Sequence, residues 1–201
     1  LELLHRRGVD IMIALDTSLS MLAEDIKPNR LTRARYEIEG LIDRLEGDRI
    51  GLVAFAGKSF VLCPLTLDYG AAKIFLDTVD TDLISVKGTA IGDAVRMATR
   101  AFGSSEKKYQ VLILITDGED HAGDPLDAAE AAADAGVRIF AVGVGTPDGE
   151  LVPIRDGDEV NYLRDSAGRI VKTRLDQATL EKMAVLTDGA YVQAGGGRVG
   201  L

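Results

Sequence analysis

Four apolar runs, at residues 9–15, 50–55, 111–115 and 139–144, are too continuous for strands that keep one face in water. Runs of this kind belong to strands covered on both faces, as in a parallel sheet enclosed by helices. The segments between them carry a helical period instead. Leu31, Ala34, Ile38, Leu41, Ile42 and Leu45 fall on one stripe, and so do Ile91, Ala94, Val95, Ala98 and Phe102. Asp124 can cap a third helix, Pro125 suits its first position, Leu126, Ala129, Ala132 and Ala133 form its apolar face, and Gly136 ends it. A last helix over about 176–186 ends near Gly189, and Tyr191 and Val192 supply a closing strand. Right-handed crossovers place helices on both faces of such a sheet, so the predicted fold is a doubly wound α/β sandwich with a mostly parallel central sheet.

Two segments depart from the alternation. Residues 58–63 follow 50–55 after only Ala56-Gly57, which predicts a tight hairpin and one antiparallel edge strand. The stretch 146–173 is rich in Gly, Asp and Pro, with β-like pieces at 160–163 and 170–173, and reads as a hairpin insertion. A length of 201 residues suits one domain, with a core over about 9–193 and a Gly-rich tail at 195–201. The net charge of -9 disfavours nucleic acid and anionic lipid as partners. Cys63 is the single cysteine, so no internal disulfide forms, and its apolar surroundings predict burial. No apolar stretch approaches the roughly 20 residues needed to span a bilayer, and the first residues lack the apolar core of a signal peptide, so the expected domain is soluble. The absence of an initial Met and the terminal glycines suggest a piece of a longer protein, with any anchor outside it.

In open α/β sheets the working site lies beyond the carboxyl ends of the strands, where strand order reverses. One strand here runs into Asp16-Thr17-Ser18-Leu19-Ser20 and a later one into Thr116-Asp117-Gly118-Glu119-Asp120. If these strands are neighbours, Asp16 and Asp117 face one crevice. Two adjacent carboxylates repel and raise one pKa, whereas a hard divalent cation neutralises both and takes hydroxyl oxygens as further ligands. Magnesium suits such a set, with manganese or calcium as alternatives.

Asp-x-Ser-x-Ser after the first strand, Gly88-Thr89 before a helix and the strand-terminal Thr116-Asp117-Gly118 resemble the metal-ion-dependent adhesion site of von Willebrand factor A domains. The resemblance implies a Rossmann-like fold and a non-enzymatic, protein-binding role. It also implies a metal held by Asp16, Ser18, Ser20, Thr89 and Asp117, its coordination completed by an acidic residue of the partner. A narrower similarity lies in Ser20-Met21-x-Ala23-x-Asp25-x-x-Pro28-Asn29-Arg30-Leu31, with Val152-Pro153-Ile154-Arg155 and Tyr162-Leu163. These resemble the bacterial aerotolerance (Bat) membrane proteins. That likeness implies a domain facing the periplasm from the inner membrane, with other Bat-type proteins and a MoxR-type AAA+ ATPase as partners.

Other readings of these residues compete. An Asp after a strand caps turns more often than it binds metal, and Thr89 is also a candidate N-cap for the helix near Ala90. Asp25, Glu119 and Asp120 are read as solvated loop acids that tune the site at most. Gly143-Val144-Gly145 lacks the following helix that a dinucleotide site requires. Asp156-Gly157-Asp158 fails as a calcium loop because Val160 holds the next ligand position, which leaves a surface turn. His121 reads as a loop residue. The enzymatic rival is a magnesium-dependent, haloacid-dehalogenase-like phosphoryl transferase with Asp16 as nucleophile. Ser18 stands where such enzymes carry a second Asp.

Overall fold

The computed structural model describes residues 8–103, 109–120 and 123–194. Its main sheet has six strands: β1 (Asp10–Asp16), β2 (Arg49–Phe55), β3 (Ser59–Thr66), β4 (Gln110–Thr116), β5 (Val137–Val144) and β10 (Ala190–Ala194). Their order is β10-β5-β4-β1-β2-β3, parallel except for the β2–β3 pair. The expected antiparallel edge is therefore present. Its connection is three residues long, closed by the Ala56 N–H on the Lys58 carbonyl at 2.9 Å, so the strand begins at Ser59 and not at Lys58.

Every residue of β1 is buried, and strand alternation sends its side chains to opposite faces. Met12 and Ala14 join Leu112, Leu114, Ile139 and Ala141 beneath α3 (Ile91–Ala101), α4 (Pro125–Asp134) and α5 (Gln177–Leu186). Ile13 and Leu15 join Ile113, Ile115, Val142 and Val144 on the other face, beneath α1 (Arg30–Ile42) and α2 (Tyr69–Asp77). Burial on both faces is the reason the centres of these strands, such as Ile11 to Leu15 in β1, read as continuous apolar runs. The two stripes expected for α1 and α3 face the core, and Asp124 caps α4 as its position suggests.

α2 has no counterpart in the sequence reading. Asp68 caps it, but only Ala72 and Leu76 are buried while Ile74 and Phe75 are exposed, so its nine residues show no apolar stripe. The segment 146–173 holds two ribbons in place of one hairpin. β6 (Glu150–Leu151) pairs with β9 (Lys172–Thr173), and β7 (Pro153–Asp156) pairs with β8 (Glu159–Tyr162). The second ribbon turns at Gly157 and Asp158, where the surface turn was expected. His121 and the tail at 195–201 lie outside the described residues.

β1 and β4 are neighbours, and the chain leaves them in opposite directions across the sheet. Strand order reverses there, so the loops after both strands border one crevice.

Candidate metal centre

Asp16 is the last residue of β1 and is fully buried. One carboxylate oxygen accepts the Ser18 N–H at 2.8 Å, which folds the chain back in a turn. The other accepts the Thr116 hydroxyl at 2.6 Å from the end of β4. This turn leads into a short 3-10 helix (Leu19–Leu22) and brings the Ser18 and Ser20 hydroxyl oxygens to 2.9 Å. Thr17 is fixed to β2 through its N–H on the Phe55 carbonyl at 2.8 Å.

Asp117 follows β4 and is also fully buried. Gly118 turns the chain at φ +82°, and a Cβ there would lie 2.7 Å from the Asp176 carbonyl, so only glycine fits this turn. Thr89 is buried immediately ahead of α3, positioned by the Ala90 N–H on the Ala56 carbonyl at 2.8 Å. It is not the N-cap. Ala90 holds that place without a side-chain bond, and Asp120 accepts the Ile91 N–H at 3.0 Å, tying the helix start to the Asp117 loop.

Among the five residues singled out from sequence, Asp16, Ser18 and Ser20 share one hydrogen-bonded turn. Asp117 lies on the adjacent strand end, and Thr89 sits on the helix start tethered to that loop. Burial, and after it the Asp117 charge, push the Asp16 carboxyl up to about 7 against the opposing bonds from Thr116 and Ser18. Two crowded, buried carboxylates beside paired hydroxyls suit a hard divalent cation. Among the described residues no three His, Cys, Asp or Glu side chains gather around a common point, so such an ion would need hydroxyl ligands.

The expectation that Asp25, Glu119 and Asp120 are solvated is corrected. Besides the Asp120 cap, both Asp25 oxygens are held by Arg30, at 2.8 Å from Nε and 2.7 Å from Nη2. That pairing and the Thr146 N–H hold Asp25 below the usual carboxylate range despite burial. Glu119 accepts the Thr173 hydroxyl at 3.0 Å and the Arg174 N–H at 3.0 Å. Arg30 itself is the functional neighbour the sequence reading missed. It is fully buried, and Nη1 donates to Asp117 Oδ2 and to the Thr173 hydroxyl, both at 3.0 Å. One signal pointed to it: a cation on the first turn of a helix opposes the helix dipole and needs an acidic partner elsewhere.

The chain matches the family model described as von Willebrand factor type A domain over residues 10–169. It is 42% identical to BatB from Bacteroides thetaiotaomicron, whose solved structure superposes with a TM-score of 0.89 over 93% of this chain and 90% of that one. An aerotolerance-related membrane protein from Bacteroides fragilis is 40% identical, with a TM-score of 0.88 over 94% and 92% of the two chains. A UPF0353 protein of Mycolicibacterium gilvum is 30% identical over 92% of this chain and 55% of its own length. The chain thus spans about half the length of the curated relatives it matches. Among the described residues no helix is long and apolar enough to cross a membrane. Doubly wound topology, an Asp-x-Ser-x-Ser turn on the strand next to Asp117, and a family match across most of the chain place it in the von Willebrand factor type A domain family.

Proposed function

We propose that this domain binds one Mg2+ through Asp16, Ser18, Ser20, Thr89 and Asp117, and through it an acidic residue of a protein partner. The family consists of metal-dependent adhesion and protein-interaction modules, which supplies the general role. The observation that carries the specific reading is the pair of buried carboxylates, with Asp16 pushed up to about 7 and the Ser18 and Ser20 hydroxyls grouped alongside. A bound Mg2+ would supply charge neutralisation and a coordination position open to an external carboxylate. The protein's own part is orientation. The Ser18 amide and Thr116 hydroxyl fix Asp16, and the tethered start of α3 carries Thr89.

Phosphoryl transfer fits less well, because Ser18 occupies the place of the expected second Asp and is engaged with Ser20. Similarity to an aerotolerance-related membrane protein supports a membrane-anchored parent, and the periplasm is the proposed compartment of this domain. Other Bat-type proteins and a MoxR-type ATPase are the proposed partners there.

The test is a melting curve with and without Mg2+ or Mn2+. A cation at 100 times its Kd adds about 2.7 kcal/mol by linkage, so Tm rises, and Asp16→Ala removes the rise. No shift at millimolar cation overturns the metal reading. Phosphatase turnover lost in Asp16→Asn overturns the non-enzymatic one.

A further inference from the structure

The segment 146–173 is anchored at both ends to the candidate metal centre, and a single buried guanidinium joins the anchors. At the near end, the Thr146 N–H donates to Asp25 Oδ2 at 2.9 Å, and Asp25 is gripped by Arg30. At the far end, the Thr173 hydroxyl accepts from Arg30 Nη1. Its one proton can go to Asp117 Oδ2 at 2.9 Å or to Glu119 Oε2 at 3.0 Å. Arg30 Nη1 reaches the same Asp117 oxygen at 3.0 Å, while Asp117 Oδ1 accepts the Glu119 N–H at 3.2 Å. The guanidinium fits because residue 145 is glycine: a Cβ there would stand 2.7 Å from Arg30 Cζ.

We infer that Arg30 and Thr173 are positioning residues for Asp117, and that through them cation occupancy is coupled to the docking of both ends of segment 146–173. This rests on the metal reading of the centre. The physical reason is that one carboxylate serves both tasks. Arg30 and Thr173 together set the rotamer in which Asp117 faces the crevice, so a loss of either loosens the ligand. In return, an ion that fixes Asp117 fixes the groups bonded to it, and such linkage is reciprocal. Outer partners of metal ligands act in this way in other proteins, and their removal weakens affinity about 10- to 100-fold. The coupling also reaches a surface. Leu19 and Leu22, beside the ligand serines, share a groove of about 320 Å³ with Pro153 and Ile154 of β7. A partner seated at the metal loop would thus touch the segment whose anchorage the ion controls.

The experiment measures Mn2+ affinity by electron paramagnetic resonance in the native domain, Thr173→Val and Thr173→Ser. Alongside it, amide exchange at Thr146 and Arg174 is followed with and without saturating Mg2+. The expected result is an affinity about tenfold weaker in the valine variant and restored by serine. Mg2+ is expected to slow exchange at both amides in the native and serine proteins only. Native affinity in Thr173→Val, or exchange in the native domain indifferent to Mg2+, overturns the coupling. The second measurement needs no variant to fold. Failure of Mn2+ to bind the native domain overturns the metal reading, and this inference with it.

Discussion

The Asp16 carboxyl gives the metal reading a quantitative consequence. Its value in the metal-free fold is about 7 against an ordinary 3.8, raised by burial and by Asp117. A cation binds the ionised form, so protons compete with it. At pH 6 roughly a tenth of Asp16 is ionised, and the apparent Mg2+ affinity falls about tenfold relative to a plateau above pH 8. Calorimetry in buffers of different ionisation enthalpy reports the same event directly. About 0.9 proton is released per ion bound at pH 6, and about 0.1 at pH 8. Folding responds with the opposite sign to a stabilising ion pair. Because the folded value lies above the unfolded one, the folded state binds more protons between pH 4 and 7. The group's contribution is therefore fully present below about 3.8 and lost as pH rises through about 7, with a slope approaching about 1.4 kcal/mol per pH unit. Denaturation in chelator should show that decline, Asp16→Asn should flatten it, and saturating Mg2+ should offset it. An Mg2+ affinity that is flat from pH 6 to 8, with no proton release, would mean that metal binding does not ionise Asp16.

Three further substitutions probe the surroundings. Arg30→Met strips Asp25 and Asp117 of their buried counter-ion and should cost about 3–5 kcal/mol in urea denaturation, since an uncompensated buried charge remains. Gly145→Ala sets a Cβ against the guanidinium at φ +126° and should cost about 1–3 kcal/mol, read as a lowered Tm. Asp120→Ala removes the acceptor from the first turn of α3 and should cost about 1 kcal/mol, together with weaker Mn2+ binding if the start of α3 carries Thr89 to the ion.

The parts legible in sequence were those written in local pattern. Five consecutive buried apolar residues in β1, Ile11 to Leu15, leave an apolar run, a stripe at helical spacing leaves α3, and the turn from Asp16 to Ser20 sits within five positions. α2 was illegible because two buried side chains in nine residues make no period. The environment of Asp117 was illegible for a different reason. Its partners Arg30 and Thr173 lie 87 and 56 residues away, and neither forms a motif with it. Asp25 and Glu119 look like solvent-facing loop acids in a chain of net charge -9, and only the fold sets Asp25 against the Arg30 guanidinium and Glu119 against Thr173 and Arg174. Asp16, Ser18 and Ser20 thus mark the candidate metal centre through short spacing. The groups that aim Asp117 are distributed by the topology that sets β1 beside β4 and returns Thr173 over the Asp117 loop. Substitutions at Arg30 or Thr173 should accordingly alter metal affinity while leaving Asp16, Ser18, Ser20, Thr89 and Asp117 all in place.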